Sequence, residues 1–586
     1  MINNMDDRVI MNSIENIFVL SDKTIFDVIS TIENAQKMGL PAGIGLVVDE
    51  IGHLEGVITD GDIRAALLKG FQMDSSVKEI MTKDPVVILH DTPFENILDE
   101  IQQQIIDSGR IRVIRYAILI DSSRKVLGLI DVNQVLISAA SRYEIVGIIG
   151  LGYVGLTLAV SLAEVGYTVI GWDSNTDIRE SLSEGILHIH EKGLDAVLKA
   201  QLYRRKLKFA SHLTELSSCR VFIICVNTPV INSIPELRYI DSAIRELCTI
   251  LKKGDLIILR STVPIGTCTG LVRKIIETHT NHVVGKDIGI SFAPERTVEG
   301  KALEELKTLP QIVGGNDSWS CESTIKIFSR LSPSIIRMNS LEEAEFVKLI
   351  NNSFRDVSFA FANEVALMCD EYNLNAGKII KAANSGYPRN TIASPSPGVG
   401  GSCLKKDPYV FISGKSDDGI PSLTRIGRQI NEMMPLKIAQ KIISVLRECN
   451  KNTEDSSVFI LGFAYKGEPE TIDTRDSPTL DLIGELRGKI DNIYGWDPIV
   501  PRTTIENFGI IWKDIEDGFR GSDAVLIMNN HRSFSNMDVT RLLTYVRRPA
   551  VFFDGWNLFD QNHIEQIEGI RYMTMGYITP VQLKEI

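Results

Sequence analysis

The residue in this chain best suited to covalent chemistry is Cys403. It lies in GVGGSCLKKDP among Gly, Ser, Lys and Asp, with Lys405 and Lys406 next in line. Cationic neighbours favour a thiolate, and the thiolate is the form that attacks a carbonyl carbon. Gly400 and Gly401 would let backbone approach a bulky ligand closely, and Asp407 follows four residues after the sulfur. Cys225, inside the apolar run VFIICVN, reads instead as core. The plainer alternative for Cys403 is an inert loop cysteine.

A second chemical pattern is GLGYVG, in which Gly150, Gly152 and Gly155 separate a strand-like EIVGII from a helix-like LTLAVSLAEVG. Three such glycines allow a tight turn, close approach of backbone to a pyrophosphate, and close packing of helix on strand. The helix N-terminus then faces the negative phosphates. Tyr153 and Val154 share this turn, and Thr228 of VNTP joins them as a cofactor-binding candidate. Asp173 ends the next strand, YTVIGWD, where a carboxylate accepts from a ribose 2′-hydroxyl and repels a 2′-phosphate. The expected cofactor is therefore NAD rather than its 2′-phosphorylated form.

These residues need a scaffold, and 586 residues are too many for a single core, so three or four folding units are expected. Short Val/Ile-rich runs alternate with helical segments from Glu144, and again from Val458, which is the rhythm of two doubly wound α/β domains. Between them a helical pattern runs from Leu341 to about Tyr372, opened by a Ser340/Glu343 capping box. Its Ala344, Val347, Phe354, Val357, Phe361, Val365 and Met368 fall near helical spacing and predict a packed face. Near the N-terminus, GIGLVVDEIGHLEGVITDGDI from Gly43 is echoed by RYAILIDSSRKVLGLIDVNQVL from Arg115. Each copy is strand, turn and strand leading into a helix.

With VKEIMTKDPVVI between its copies, this repeat resembles a tandem CBS module. The resemblance implies an adenine nucleotide held by Thr59 and Asp62, whose types suit phosphate and ribose contacts; a capped helix start with no ligand is the alternative. The matching Asp131 and Gln134 of the second copy depart from that pattern. The fold class is thus α/β, with two Rossmann-like domains joined by a long helix and preceded by an α+β CBS pair. The expected boundaries are 8–141, 144–335, 336–445 for a central helical dimerisation domain, and 455–575.

From Glu144 onward the chain resembles the UDP-glucose/GDP-mannose dehydrogenase family. The motifs in order are GLGYVG, VNTP, STVPIGT, APERTVEG, EAEFVKLINNSF, GVGGSC and GFAYKGEPETIDTRDSP. The resemblance implies oxidation of a sugar primary alcohol to a carboxylate through a thiohemiacetal and a thioester on Cys403. It implies Lys348 and Asn352 as stabilisers of oxyanions, Asp407 for water or protons, Glu295 as base for thioester hydrolysis, and Thr262 to position water. The C-terminal domain would grip a UDP-sugar, with Lys466 and Arg475 near the nucleotide. GEPETIDT is longer than in typical UDP-glucose enzymes, and Lys405 stands where proline is common. The segment around Arg389 looks more like the loop of UDP-N-acetylhexosamine dehydrogenases. Two rival readings are a two-electron hydroxyacid dehydrogenase of the 3-hydroxyisobutyrate type and a catalytically silent nucleotide sensor.

A net charge of −13 disfavours a nucleic-acid surface. The apolar stretch 146–172 is interrupted by glycines and Glu164 and reads as soluble secondary structure, not a membrane span. The N-terminal residues lack the pattern of a secretory signal, so a cytoplasmic protein with free thiols is expected. No metal is expected: the spacing of His188 and His190 is compatible with one face of a strand, and they read as surface or loop histidines. A homodimer or higher homo-oligomer is expected from the long helix.

Overall fold

The computed structural model describes residues 9–10, 14–38, 40–41, 43–92, 97, 100–101, 104–105, 115–132, 145–389, 391–414 and 420–580. The N-terminal repeat forms two similar sheets. In the first, Phe18–Leu20 runs parallel to Ile44–Val48, which pairs antiparallel with Leu54–Thr59. In the second, Val87–Leu89 runs parallel to Tyr116–Ile120, which pairs antiparallel with Val126–Asp131. Each hairpin slips register at the same place, Val47/Val48 and Leu119/Ile120, so the internal repeat extends to its irregularity. Gln134 lies outside the described residues.

The dinucleotide domain has eight strands: β1 (Ile145–Ile149), β2 (Thr168–Trp172), β3 (Leu207–Phe209), β4 (Val221–Ile224), β5 (Asp255–Leu259), β6 (Ile288–Phe292), β7 (Gln311–Gly315) and β8 (Ile335–Arg337). They lie in the order β3-β2-β1-β4-β5-β6-β7-β8, parallel throughout except between β6 and β7. The C-terminal domain repeats this plan. Its strands are β9 (Ser457–Leu461), β10 (Asn492–Trp496), β11 (Ile511–Trp512), β12 (Ala524–Ile527), β13 (Ala550–Asp554), β14 (Ile570–Thr574) and β15 (Tyr577–Ile578), ordered β11-β10-β9-β12-β13-β14-β15. In both sheets the order reverses beside the first strand, and ligands of such sheets bind at the carboxyl ends around that point. GLGYVG after β1 and GFAYK after β9 occupy those two places.

Helix α1 (Tyr153–Glu164) follows the glycine turn, and α2 (Leu341–Tyr372) runs from one sheet to the other. Ser340 caps α2 by accepting from the Glu343 amide, but the Glu343 carboxylate takes the Asn339 amide, so only half of the expected box forms. The packed face also differs from expectation. Phe354, Phe361 and Met368 are 72%, 52% and 62% exposed, whereas Lys348, Asn352, Asp356 and Asn363 are buried. The reason is the company α2 keeps: beyond the short α3 (Ala376–Asn384), α4 (Asp407–Ser413) and α5 (Leu423–Glu448) pack against it and supply polar partners to its polar side. The apolar residues left outward recur every seventh position, the spacing of a helix seam. Among the described residues no helix is long and apolar enough to cross a membrane.

Candidate active site

At the end of β1, Gly150 adopts a φ of +92° and donates its amide to the Trp172 carbonyl at 2.8 Å. A Cβ there would stand 2.9 Å from Cys225 backbone, and one on Gly155 would overlap the Gly150 carbonyl oxygen. A Cβ on Gly152, by contrast, meets nothing within 4 Å, which leaves the amide end of α1 open to a ligand. Asp173 accepts the Leu151 amide at 2.7 Å and the Asn175 amide at 2.9 Å, so its carboxylate is fixed beside the turn. A tight turn, an open helix end and a fixed carboxylate suit the pyrophosphate and ribose of a dinucleotide.

The hydroxyls of Tyr153 and Thr228 each tie two segments of the chain together. The Tyr153 hydroxyl donates to Glu191 and accepts the Gly300 amide at 3.0 Å, tying α1 to the APERTVEG loop, and burial raises its pKa. Val154 packs on the core beneath the turn. Thr228 is 3% exposed; its hydroxyl donates to the Thr262 carbonyl and accepts from Lys406 Nζ at 3.2 Å. That contact brings the cysteine loop to the end of β4. Lys406 Nζ also lies 3.1 Å from Asp407 Oδ1.

Cys403 is exposed, and its carbonyl accepts the amides of Lys406 and, at 2.8 Å, Asp407. Asp407 is fully buried and accepts from Asn352 Nδ2 at 2.6 Å, so α2 is attached directly to the turn that carries the sulfur. Lys348, one helical turn before Asn352, shares with it a cavity of about 270 Å³ lined also by Arg296, Asn351, Phe354 and Arg355. The other sulfurs are unlike Cys403: burial pushes the Cys225 thiol up to about 12, which suits the core role read from its sequence.

Glu295 is buried, and Arg260 Nε and Nη2 both donate to one of its oxygens while the amides of Arg296 and Thr297 donate to the other at 2.7 Å. Burial pushes this carboxyl up, but Arg260 and the Thr297 amide outweigh it and hold its pKa below the ordinary range. Its stabilising effect is thus present at neutral pH and lost as pH falls through the depressed value. Replacing Glu295 with Gln leaves Arg260 facing a neutral group, and the expected loss of unfolding free energy is about 3 kcal/mol. Urea titration at neutral pH checks this; unchanged stability would contradict it.

Gly400 and Gly401 allow a close approach of other parts of the protein. A Cβ on Gly400 would strike the Asp476 carbonyl and one on Gly401 the Tyr465 ring, both in the C-terminal domain. Lys405 pairs with Asp481 at 3.2 Å. Lys466 and Arg475 of that domain lie within electrostatic reach of Cys403. Lys466 Nζ donates to the Glu299 carbonyl at 2.6 Å, and burial lowers its pKa. Arg475 forms a fork with Asp473 on its own loop. Arg389 is exposed and stacks on Tyr387. In the N-terminal module Thr59 and Asp62 engage each other, with Thr59 Oγ1 donating to Asp62 at 2.7 Å in a full capping box.

Sequence reading did not single out Arg260, Glu191 or Glu345. Glu345 is 1% exposed and accepts the amides of Gly266 and Cys268, anchoring the STVPIGT loop to α2 one turn before Lys348. A Glu set between Ala344 and Phe346 in an otherwise amphipathic pattern was the available signal. Among the described residues no group of three His, Cys, Asp or Glu is placed to hold a metal.

Comparisons with known proteins agree with this arrangement. Residues 144–332 match the NAD binding domain of the UDP-glucose/GDP-mannose dehydrogenase family, 342–433 its central domain and 459–561 its UDP binding domain, while 7–69 and 77–140 match the CBS domain. A UDP-N-acetyl-D-mannosamine dehydrogenase of Pyrococcus horikoshii is 34% identical over 71% of this chain and 96% of its own length. The NDP-N-acetyl-D-galactosaminuronic acid dehydrogenase of Ralstonia nicotianae is 28% identical over 69% of this chain and 95% of its own. The solved UDP-D-ManNAc dehydrogenase of Pyrococcus horikoshii superposes with a TM-score of 0.68 at 33% identity, over 74% of this chain and 99% of that one. A glycine turn built for a dinucleotide, two matching sheets and three consecutive domain matches lead to one conclusion: the chain belongs to the UDP-glucose/GDP-mannose dehydrogenase family and is an NAD-dependent nucleotide-sugar dehydrogenase with an N-terminal CBS pair.

Proposed function

We propose that this enzyme oxidises the C6 primary alcohol of a UDP-N-acetylhexosamine to the carboxylate, in two oxidations linked by a covalent bond to Cys403. The observation that carries the reading is the exposed Cys403 on a turn joined to Asn352 through Asp407 and to Thr228 through Lys406. Gly150, Gly152, Gly155 and Asp173 would hold NAD, which when bound supplies the hydride acceptor, a fresh molecule for each of the two oxidations. Cys403 attacks the aldehyde to form a C–S bond, and Lys348 and Asn352 donate to the oxygen that gains charge. The second oxidation turns that adduct into a thioester. Water then displaces the sulfur, releasing carboxylate and thiol, with Asp407 and Thr262 orienting the water and Glu295 nearby as a weak, ionised base. Lys466 provides positive charge for the UDP phosphates. The relatives' names make the N-acetylmannosamine derivative the first sugar to try.

A panel of UDP- and GDP-sugars with NAD, read as NADH formed, tests this. Turnover is expected with a UDP-N-acetylhexosamine and not with GDP-mannose; the reverse pattern overturns the substrate assignment. The outward Phe354, Phe361 and Met368 of α2 support assembly of two chains along that helix, which light scattering would detect. An adenine nucleotide at the CBS pair would have to share Asp62 with Thr59. ATP, ADP and AMP titrations read by thermal shift test that part, and no shift with any of them removes it.

A further inference from the structure

Helices α2 and α5 enclose a polar chain that the reaction scheme leaves unused. Asp356 on α2 and Arg428 on α5 are 0% and 1% exposed. Arg428 Nη1 donates to Asp356 Oδ1 at 2.7 Å and to the Leu404 carbonyl at 3.1 Å, and its Nη2 donates to the Val399 carbonyl at 3.0 Å. Asn431 donates to both Oδ1 and the backbone carbonyl of Asp356 at 2.9 Å and accepts from Asn363. Asn363 in turn accepts the Ser396 amide at 2.8 Å. The loop backbone is thereby held at residues 396, 399 and 404, and the last two flank Cys403.

Burying a guanidinium and a carboxylate between packed helices costs more than burying two aliphatic side chains of the same volume. What the pair adds is direction. A planar guanidinium reaches a carboxylate and two carbonyls at fixed angles, which a lysine ammonium cannot reproduce. Asp356 also stands one turn beyond Asn352, which holds Asp407, so one face of α2 secures the loop before and after the sulfur.

We infer that Arg428, oriented by Asp356, is a positioning residue that fixes the backbone on both sides of Cys403 and so aims the nucleophile. The inference rests on Cys403 being that nucleophile. It carries a pH dependence. Around Asp356 stand Arg428, Asn431 and Glu432 from α5; Tyr409 of α4 donates to Glu432, which lies 3.2 Å from Arg428 Nε. Asp356 Oδ2 has no hydrogen-bond partner among the described residues. Burial raises the Asp356 carboxyl to about 6, with Arg428 and Asn431 opposing the rise. Because the folded value exceeds the ordinary one, the charged form is the costly one above that pH. Acidification removes this cost while dissolving the ion pair. The loop is then released in acid without this group itself driving unfolding.

Hydrogen exchange read by mass spectrometry on the full chain, with no ligand added, tests the inference. Arg428→Lys is expected to speed exchange of amides 399–407 about tenfold and leave the glycine turn 150–155 unchanged. It should also lower kcat about 100-fold with little change in KM. In the native chain, exchange of 399–407, corrected for its intrinsic pH dependence, should rise again toward about pH 5, and in Asp356→Asn that rise should vanish. Loop exchange at the native rate in Arg428→Lys overturns the inference, as does acceleration spread equally along α2 and α5. If Arg428→Lys does not fold, an acid step that persists in Asp356→Asn overturns it as well. Inactivity of the native enzyme toward every sugar nucleotide would instead sink the proposed function and leave the exchange result standing.

Discussion

Cys403→Ala is expected to abolish sugar-acid formation, with a fall in turnover on the order of 10³-fold or more. Alanine removes the sulfur to which the aldehyde would bond. It removes little else, because the turn is held by backbone: the 403 carbonyl still accepts the Lys406 and Asp407 amides. The side chain is exposed, so no cavity opens and stability should stay within a few tenths of a kcal/mol. Steady-state production of acid together with a urea midpoint makes the measurement. Acid formed at the native rate would mean the sulfur is a bystander. Lost activity with lost stability would mean the residue shapes the loop.

Lys348→Met should lower kcat by about 10²- to 10³-fold, the usual consequence of removing one donor to a developing oxyanion. Methionine keeps the length and apolar stem of lysine, so packing against the α2 neighbours survives. The cavity that Lys348 shares with Asn352 is where the ammonium can act, and Asn352 Nδ2 is already engaged by Asp407. Lys348 should therefore carry the larger share of oxyanion stabilisation. Lys348 also contributes to holding Glu295 ionised, so the variant should raise the Glu295 pKa and shift the acidic limb of the pH–rate profile upward. A KM increase with kcat unchanged would assign Lys348 to ground-state binding.

The glycine turn, the two sheets and the distinction between Cys225 and Cys403 were legible in the sequence because each rests on a local pattern. A strand, three glycines and a helix are written within a few residues, and an apolar run around a cysteine announces burial. The interior face of α2 was not legible. Phe354, Phe361 and Met368 are at helical spacing and read as core, but α4 and α5 pack on the polar side instead. Periodicity reports that a face is apolar and not which neighbour covers it. The same limit hid Arg428, whose partners Asp356, Val399 and Leu404 are far from it in sequence. It also concealed that Gly400 and Gly401 admit Asp476 and Tyr465, and that Lys405 pairs with Asp481. Close approach was readable from the glycines, but its partner was not.

The central claim, two oxidations joined through one sulfur, is tested most directly by electron count. With a limiting amount of the accepted UDP-sugar and excess NAD, run to exhaustion, the account predicts two NADH per sugar consumed and a carboxylate as the only product. One NADH per sugar, with an aldehyde or ketone accumulating, would contradict it.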